Sequence, residues 1–398
     1  MKRISIIIAL LALSYSANAQ FHYQDSKNPE MMRHVNRREP SRKEIVLPQV
    51  NGYNVYKADL HTHTVFSDGS VLPDFRVRES WLDGLDVMAV TEHVEYRPHE
   101  DTFASYMKQY IDGSGKKVKN NRLSNRAADE DGIQVDLNFS YNRSYNIGKN
   151  YGITVIRGME ITRDGTTVGH YNALFTEDNN KIYDPDPIKM MRNAKDQGAI
   201  IQHNHPGWRK TDMNYTETDK VAYEEGLIDG IEVMNSGEFY PIAMDRANER
   251  GLFMSANSDI HSSTAIDYTS GGNFRPMTFI LAEDCSLESL KNALKEDRTI
   301  ACAFNTLCGS EQLLTDFFKE SVSVRVINDK NSKGVTSVWL TNNTSLEYYL
   351  KTDGQNRMLL APFSTIIVKG KFEDKKIPLD VLNMFFAKDS HLKVMLEF

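Results

Sequence analysis

The chain has 398 residues, with 47 Lys and Arg against 54 Asp and Glu and a formal charge of −7. A single hydrophobic core rarely grows past roughly 250–300 residues, so one large domain and a smaller companion are expected. The mild acidity leaves no basic footprint for duplex nucleic acid or an anionic membrane.

The first residues, MKRISIIIALLALSYSANAQ, hold two basic residues, an apolar run from Ile4 to Leu13, and small residues ending Ala17-Asn18-Ala19. This reads as a secretory signal over 1–19, cleaved after Ala19. The run is too short to span a bilayer, and no later stretch is apolar for long enough. The expectation is a secreted or periplasmic protein without a transmembrane anchor. Residues 20–52 are polar and poorly periodic, an N-terminal extension.

From Tyr53 a rhythm sets in. The strand VYKADLH is followed by the amphipathic helix LPDFRVRESWLDG and the strand LDVMAVTEH. Residues 97–150 interrupt as an insertion with one helical piece near FASYMKQYI. The alternation then resumes. ITVIRGMEIT, AIIQHNHP, IDGIEVMNS, LFMSANSDIH, RPMTFILAE and TIACAFN read as strands, with helices such as PIKMMRNAKDQG, TETDKVAYEEG, YPIAMDRANERG and LESLKNALKEDR between them, and HYNALF as an extra strand. Short apolar strands separated by amphipathic helices mark a parallel sheet buried on both faces. Their number suits a closed βα barrel over 53–312 better than an open sheet. After about residue 315 the helices vanish, and alternating segments from SVSVRVIND to HLKVMLEF predict a small antiparallel β domain, sandwich-like, over 313–398. Cys285, Cys302 and Cys308 are odd in number and have no CxxC spacing, so free structural thiols are expected.

The histidines and acids cluster at one kind of place. In an α/β barrel, chemistry sits at the carboxyl ends of strands. Those ends carry His61 and His63 with Asp68 in the following loop, His93, Glu160 with His170 beyond it, His203 and His205, Asn235, and Asp259 with His261. His99, in the insertion, is the exception. Imidazole and carboxylate donors together suit zinc, manganese or iron, and there are too many for one tetrahedral ion. Two or three divalent ions are expected, activating a water for phosphate-ester hydrolysis. No GxSxG motif offers a serine nucleophile, and Ser67 and Ser70 read as turn residues. Arg163, Arg209 and Lys210 lie in loops after ligand-bearing strands and are candidate partners for a small phosphorylated substrate.

The ordered set DLHTHTVFSDG, TEH, GMEIT, NHPG and SDIH resembles the motifs of the PHP (polymerase and histidinol phosphatase) family of metal-dependent phosphoesterases. That resemblance, over roughly residues 55–300, implies a distorted seven-stranded, TIM-like (β/α) barrel with three metals. It implies that His61, His63, Asp259 and a bridging Glu160 hold the first metal. Glu160 would reach a second completed by His170 and His205, and Asp68, His93 and His261 would hold the third. Asp68, Glu160, His203 and Asp259 become the catalytic candidates. His205, directly before Pro206, is preferred as the ligand over His203, which is left to orient a ligand or face the phosphate. If the strand runs through both, the two would share a face, with Pro206 keeping His205 extended. Amidohydrolases also begin with HxH but bridge their metals with a carbamylated lysine, where this chain has Glu160. The alternatives are such a hydrolase of a non-phosphate substrate, or an exported metal-containing binding module without turnover.

Overall fold

The computed structural model describes residues 22–25, 27–34, 40–99, 116–118, 133–162, 168–328, 331–352 and 356–398. The expected signal over 1–19, Arg163 and the helix expected near FASYMKQYI lie outside the described residues. Two compact units are present, Met1–Arg42 and Lys43–Phe398. In the first, His22–Asp25 pairs antiparallel with Asn28–His34.

In the second unit the barrel strands are β1 (Asn54–Asp59), β2 (Val87–Val90), β3 (Thr154–Thr162), β4 (His170–Leu174), β5 (Ile200–His203), β6 (Gly230–Asn235), β7 (Phe253–Asn257), β8 (Met277–Ala282) and β9 (Thr299–Ala303). Around the wall they run β7–β6–β5–β4–β3–β2–β1–β8–β9. Pairs β1–β2, β2–β3, β5–β6 and β6–β7 are parallel. β4 runs antiparallel to both β3 and β5, so the HYNALF segment is a reversed stave, and its first residue points to the same end as the carboxyl ends of its neighbours. Most of these strands are buried along their whole length. This is why they read as continuous apolar runs instead of alternating ones.

The helices obey their local signals. α1 (Pro73–Leu82) starts on a proline, and α2 (Phe139–Tyr151) ends at the left-handed Gly152. α3 (Pro187–Asp196) begins with Pro187 behind the Asp186 cap, whose side chain accepts from the Ile188 amide. α4 (Glu217–Glu224) has a reciprocal capping box between Thr216 and Asp219. α5 (Pro241–Arg250) ends at the left-handed Gly251, and α6 (Leu287–Lys295) is capped by Ser286.

The barrel closes where β1 and β7 run on past their last ladder residues. The Asp259 amide donates to the His61 carbonyl at 3.0 Å and the His63 amide to the Ile260 carbonyl at 3.2 Å. Thr62 and Ile260 form one isolated parallel bridge, and the Leu60 amide donates to Asn257 Oδ1 at 2.9 Å. The wall is thus sealed by the segments DLHTH and NSDIH.

Beyond the barrel, β10 (Thr306–Cys308) joins β9 to a smaller, mainly antiparallel β region. A helix, α7 (Glu311–Ser321), carries on past residue 315, so the helical part ends six residues later than the sequence suggests. Next come β11 (Val322–Asn328), β12 (Thr336–Asn342), β13 (Tyr348–Lys351), β14 (Met358–Leu360), β15 (Thr365–Gly370), β16 (Lys376–Ala387) and β17 (Ser390–Glu397). β11, β12 and β15 form their own sheet, while β16 pairs with β10, β13 and β17. Phe317 and Phe318 of α7, Leu340 of β12 and Val381 of β16 share one core with Phe279 and Ile300 of the barrel. At roughly 1.5–3 kcal/mol for each large apolar side chain fully buried, that shared core makes the two regions one compact unit. Cys302 packs into this core and Cys308 into the barrel core on the other side of the sheet, and all three cysteines are free.

Candidate metal centre

Every converging ligand lies at the carboxyl end of the parallel strands, but the backbone presents each differently. His61 and His63 follow β1 in the closing segment. His93 follows β2 and is bridged to Glu160 of β3. His170 opens the reversed β4. His205 lies two residues past β5, and Asp259 and His261 continue β7. His205 and Asp259 have φ of +23° and +50°. A non-glycine residue rarely adopts such angles, and they are found where a site is held against local preference.

Glu160 is the hub. Its Oε2 is 3.5 Å from His61 Nε2, 3.5 Å from His63 Nε2 and 2.6 Å from His93 Nδ1. Its Oε1 is 3.2 Å from His170 Nδ1 and 3.6 Å from His205 Nε2. Asp259 Oδ1 is 3.2 Å from His61 Nε2 and 3.1 Å from His63 Nε2. Asp68 lies at the mouth, 3.4 Å from His93 Nε2 and 3.1 Å from His261 Nε2. Three ligand sets result, each with donor atoms within 4.8 Å of one another: His61, Glu160 and His205; His61, His63 and Asp259; and His63, Asp68, His93 and His261. They can coordinate two or three metal ions.

Burial alone would raise the Glu160 carboxyl, but His93, His61 and His170 around it hold it well below the usual carboxylate range. Asp259 is held down in the same way, against burial, by His61 and His63. Burial, helped by His261 and His93, pushes the His63 imidazole down to about 4. His93 is raised to about 10 because Glu160 and Asp68 outweigh its burial.

The decisive observation concerns hydrogen bonds. His61 Nε2, His63 Nε2, Asp68 Oδ1, Glu160 Oε2 and Asp259 Oδ1 are buried and make no well-oriented hydrogen bond among the described residues, although each lies within 4 Å of another atom of the cluster. Each such orphan costs about 1–3 kcal/mol. Lone pairs of acids and imidazoles aimed at a common space are what a cation satisfies, so the donor set fits divalent metals.

Other residues orient these ligands, and the sequence reading missed most of them. Glu232 in β6 accepts from His61 Nδ1 at 3.0 Å, the His205 amide at 2.7 Å and Asn257 Nδ2 at 2.9 Å. Asn235, at the end of that strand, donates to Glu232 at 2.8 Å and does not point at the ligands. Glu92 accepts from the Ser67 hydroxyl at 2.5 Å, and Ser67 Oγ lies 3.3 Å from His63 Nδ1. Asn204 donates to Glu160 Oε1 at 3.0 Å. An available signal was an acid inside or just beyond an otherwise apolar strand, Glu232 within β6 and Glu92 two residues past β2, which a buried site tolerates only with partners. Gly69 is glycine for a steric reason: a Cβ there would sit 2.8 Å from the His63 carbonyl carbon.

His203 and Lys210 do not join the cluster. β5 ends at His203, so the premise of one strand through both histidines fails, and the positive φ at His205 contradicts an extended backbone before Pro206. The His203 ring packs against α4, with Nδ1 2.9 Å from the Tyr223 hydroxyl and Nε2 3.4 Å from Asp219. Lys210 pairs with the same Asp219 at 3.5 Å. Arg209 is exposed and stacked 4.2 Å from the Trp208 ring, and Trp208 lies 5.3 Å from the rings of both His170 and His205.

The PHP domain model matches residues 59–258, half of the chain. A crystal structure of a two-domain protein from Bacteroides vulgatus, containing a predicted PHP-like metal-dependent phosphoesterase, is similar along nearly the whole length. It is 32% identical, covers 90% of this chain and 99% of that one, and has a TM-score of 0.76. The chain belongs to the PHP family. Its cluster is of the multi-metal kind typical of PHP-type phosphoesterases. More distant is Endonuclease Q in complex with a duplex bearing an abasic lesion, at 16% identity, 65% and 60% coverage and a TM-score of 0.39. An amidohydrolase from Chromobacterium violaceum shows 14% identity, 52% and 87% coverage and a TM-score of 0.33. None of the curated proteins matches. Among the described residues, no helix is long and apolar enough to cross a membrane.

Proposed function

We propose that this PHP-family protein is an exported hydrolase of a small phosphate ester, working with two or three zinc, manganese or iron ions. The convergence of orphaned imidazole and carboxylate atoms on one space carries the reading. His61, Glu160, His170, His205 and Asp259 would hold the inner ions and Asp68, His93 and His261 the outer one, with His63 placed to serve both sets. Such ions lower the pKa of a bound water and neutralise charge on phosphoryl oxygens.

The chain's own residues supply the rest. Neither nearby serine is poised to attack: the Ser67 hydroxyl donates to Glu92, and that of Ser70 to the His261 carbonyl at 3.2 Å. The nucleophile is therefore water. Glu232 and Glu92 fix His61 and His63 in the orientations that aim Nε2 inward. Arg209, its guanidinium carbon 4.2 Å from the centre of the Trp208 ring, offers a cation near the rim for the substrate phosphate. Arg163, three residues beyond Glu160 in the sequence and outside the described residues, is proposed for the same task. Burial of Asp219, Lys210 and His203 in their own network leaves those side chains to hold the loop that bears Trp208.

The test is metal analysis of purified protein together with a panel of phosphomonoesters, phosphodiesters and non-phosphate esters and amides. Chelator-sensitive cleavage of a phosphoester is expected. Full metal occupancy without cleavage would favour a binding module, and cleavage confined to amides or carboxyl esters an amidohydrolase-like activity. Export is tested separately by fractionation and N-terminal sequencing, with Gln20 expected as the first residue of the mature chain.

A further inference from the structure

The segments bearing His63 and His261 meet at the seam of the barrel, where a single isolated bridge replaces a continuous ladder. Directly behind that seam α1 buries a complete guanidinium. Arg76 is 0% exposed. Its Nε and Nη2 donate to the His63 carbonyl at 3.0 and 2.9 Å, and its Nη1 donates to the Ser262 carbonyl at 2.8 Å. The same Nη1 pairs with Glu79, whose other oxygen accepts from the Thr264 amide at 3.1 Å and its hydroxyl at 3.3 Å.

A buried charge is expensive to desolvate, and an apolar side chain of similar volume would fill this space without that penalty. What only a guanidinium offers is a rigid fork whose donors reach two separate chain segments at once. Those two carbonyls are on His63 itself and on the residue after His261. His261 belongs to the outer set alone, with Asp68 and His93, and His63 belongs both to that set and to the one with His61 and Asp259.

We infer that Arg76 is a positioning residue for the outer metal set, holding the backbones of His63 and His261 at the spacing one ion requires. It touches neither the ligand side chains' donor atoms nor substrate. The inference rests on the reading that the cluster binds divalent ions.

The test is calorimetric titration of the metal-free full-length protein with Mn²⁺ or Zn²⁺ alone, for wild type, Arg76→Lys, Arg76→Met and His261→Ala. Wild type should bind two or more equivalents, and His261→Ala marks the outer one by losing it. Arg76→Lys keeps the charge beside Glu79 but not the fork. It should weaken that same equivalent by about 10-fold or more, while the equivalents that do not use His63 change by less than about 2-fold. Arg76→Met should do so more strongly if it folds, and the lysine variant decides the matter if it does not. Unchanged affinities would overturn the inference. So would a uniform loss across all equivalents in step with a lower melting temperature of the metal-free protein, since that is what simple packing would give. A wild-type protein that binds no ion would overturn the underlying reading and the inference with it.

Discussion

The inner and outer halves of the cluster differ in how the fold makes them. His61 and Glu160 are fully buried, and their hydrogen-bonding partners Glu232 and Asn204 come from a strand and a strand end of the barrel. Asp68 and His261 are loop residues, with side chains 14% and 39% exposed. Charges attract more strongly where water is excluded, and ligands on a rigid sheet lose little freedom on binding. The inner half should hold its ions tightly, and the outer half should exchange its ion with solvent.

Glu160 belongs to both halves, so its replacement should erase the contrast. Glu160→Gln removes the charge shared among five imidazoles. It should lose more than one equivalent of metal, with activity falling well beyond the roughly 100-fold that ligand-orienting partners are worth. Metal analysis showing full occupancy and normal turnover would remove it from the centre of the site. Glu232→Gln should sharpen the contrast instead. It leaves His61 Nδ1 without its carboxylate, so inner-site affinity should fall about 10–100-fold while the outer equivalent stays as it was. A calorimetric titration resolves the two.

Chelation of the loaded protein should be biphasic, the outer ion leaving first, and a single phase releasing all ions together would break the distinction. Proton release follows the outer site as well. In the metal-free protein His93 is raised to about 10, so it carries a proton at neutral pH that an incoming ion must displace. Outer-ion affinity should therefore climb with pH up to that value, and calorimetry in buffers of different ionisation enthalpy should find at least one proton released, since Asp68 and Asp259 raise His261 as well, against its burial. The charged His93 stabilises the metal-free fold fully below its ordinary value of 6.5, and that contribution is lost as pH rises through about 10. The smallest effect is expected outside both halves. His203→Ala should keep its metals and lower stability by about 1–3 kcal/mol through the partners it leaves in the Asp219 network, as read by denaturant unfolding of the loaded protein.

The sequence by itself determined the alternation of strands and helices in the barrel, because strands buried on both faces must be apolar throughout and helices between them must be two-sided. It also marked the residues that converge, since histidines and acids stood just where such strands run out: His61, His63, Asp68, His93, Glu160, His170, His205, Asp259 and His261 all reach one space. Tertiary structure alone decided how they reach it. The reversal of β4, which brings His170 to the metal end, is a pairing choice made across the sheet and leaves no mark in HYNALF. The opposite fates of His203 and His205 turn on a strand that stops one residue before Asn204 and on a positive φ at His205, whose Nε2 lies 3.6 Å from Glu160 and 3.7 Å from Asp259. Glu232, Glu92 and Arg76 passed for ordinary charges because a charged residue shows its value only once its buried partners are known, and those partners lie from 3 to 186 residues away along the chain.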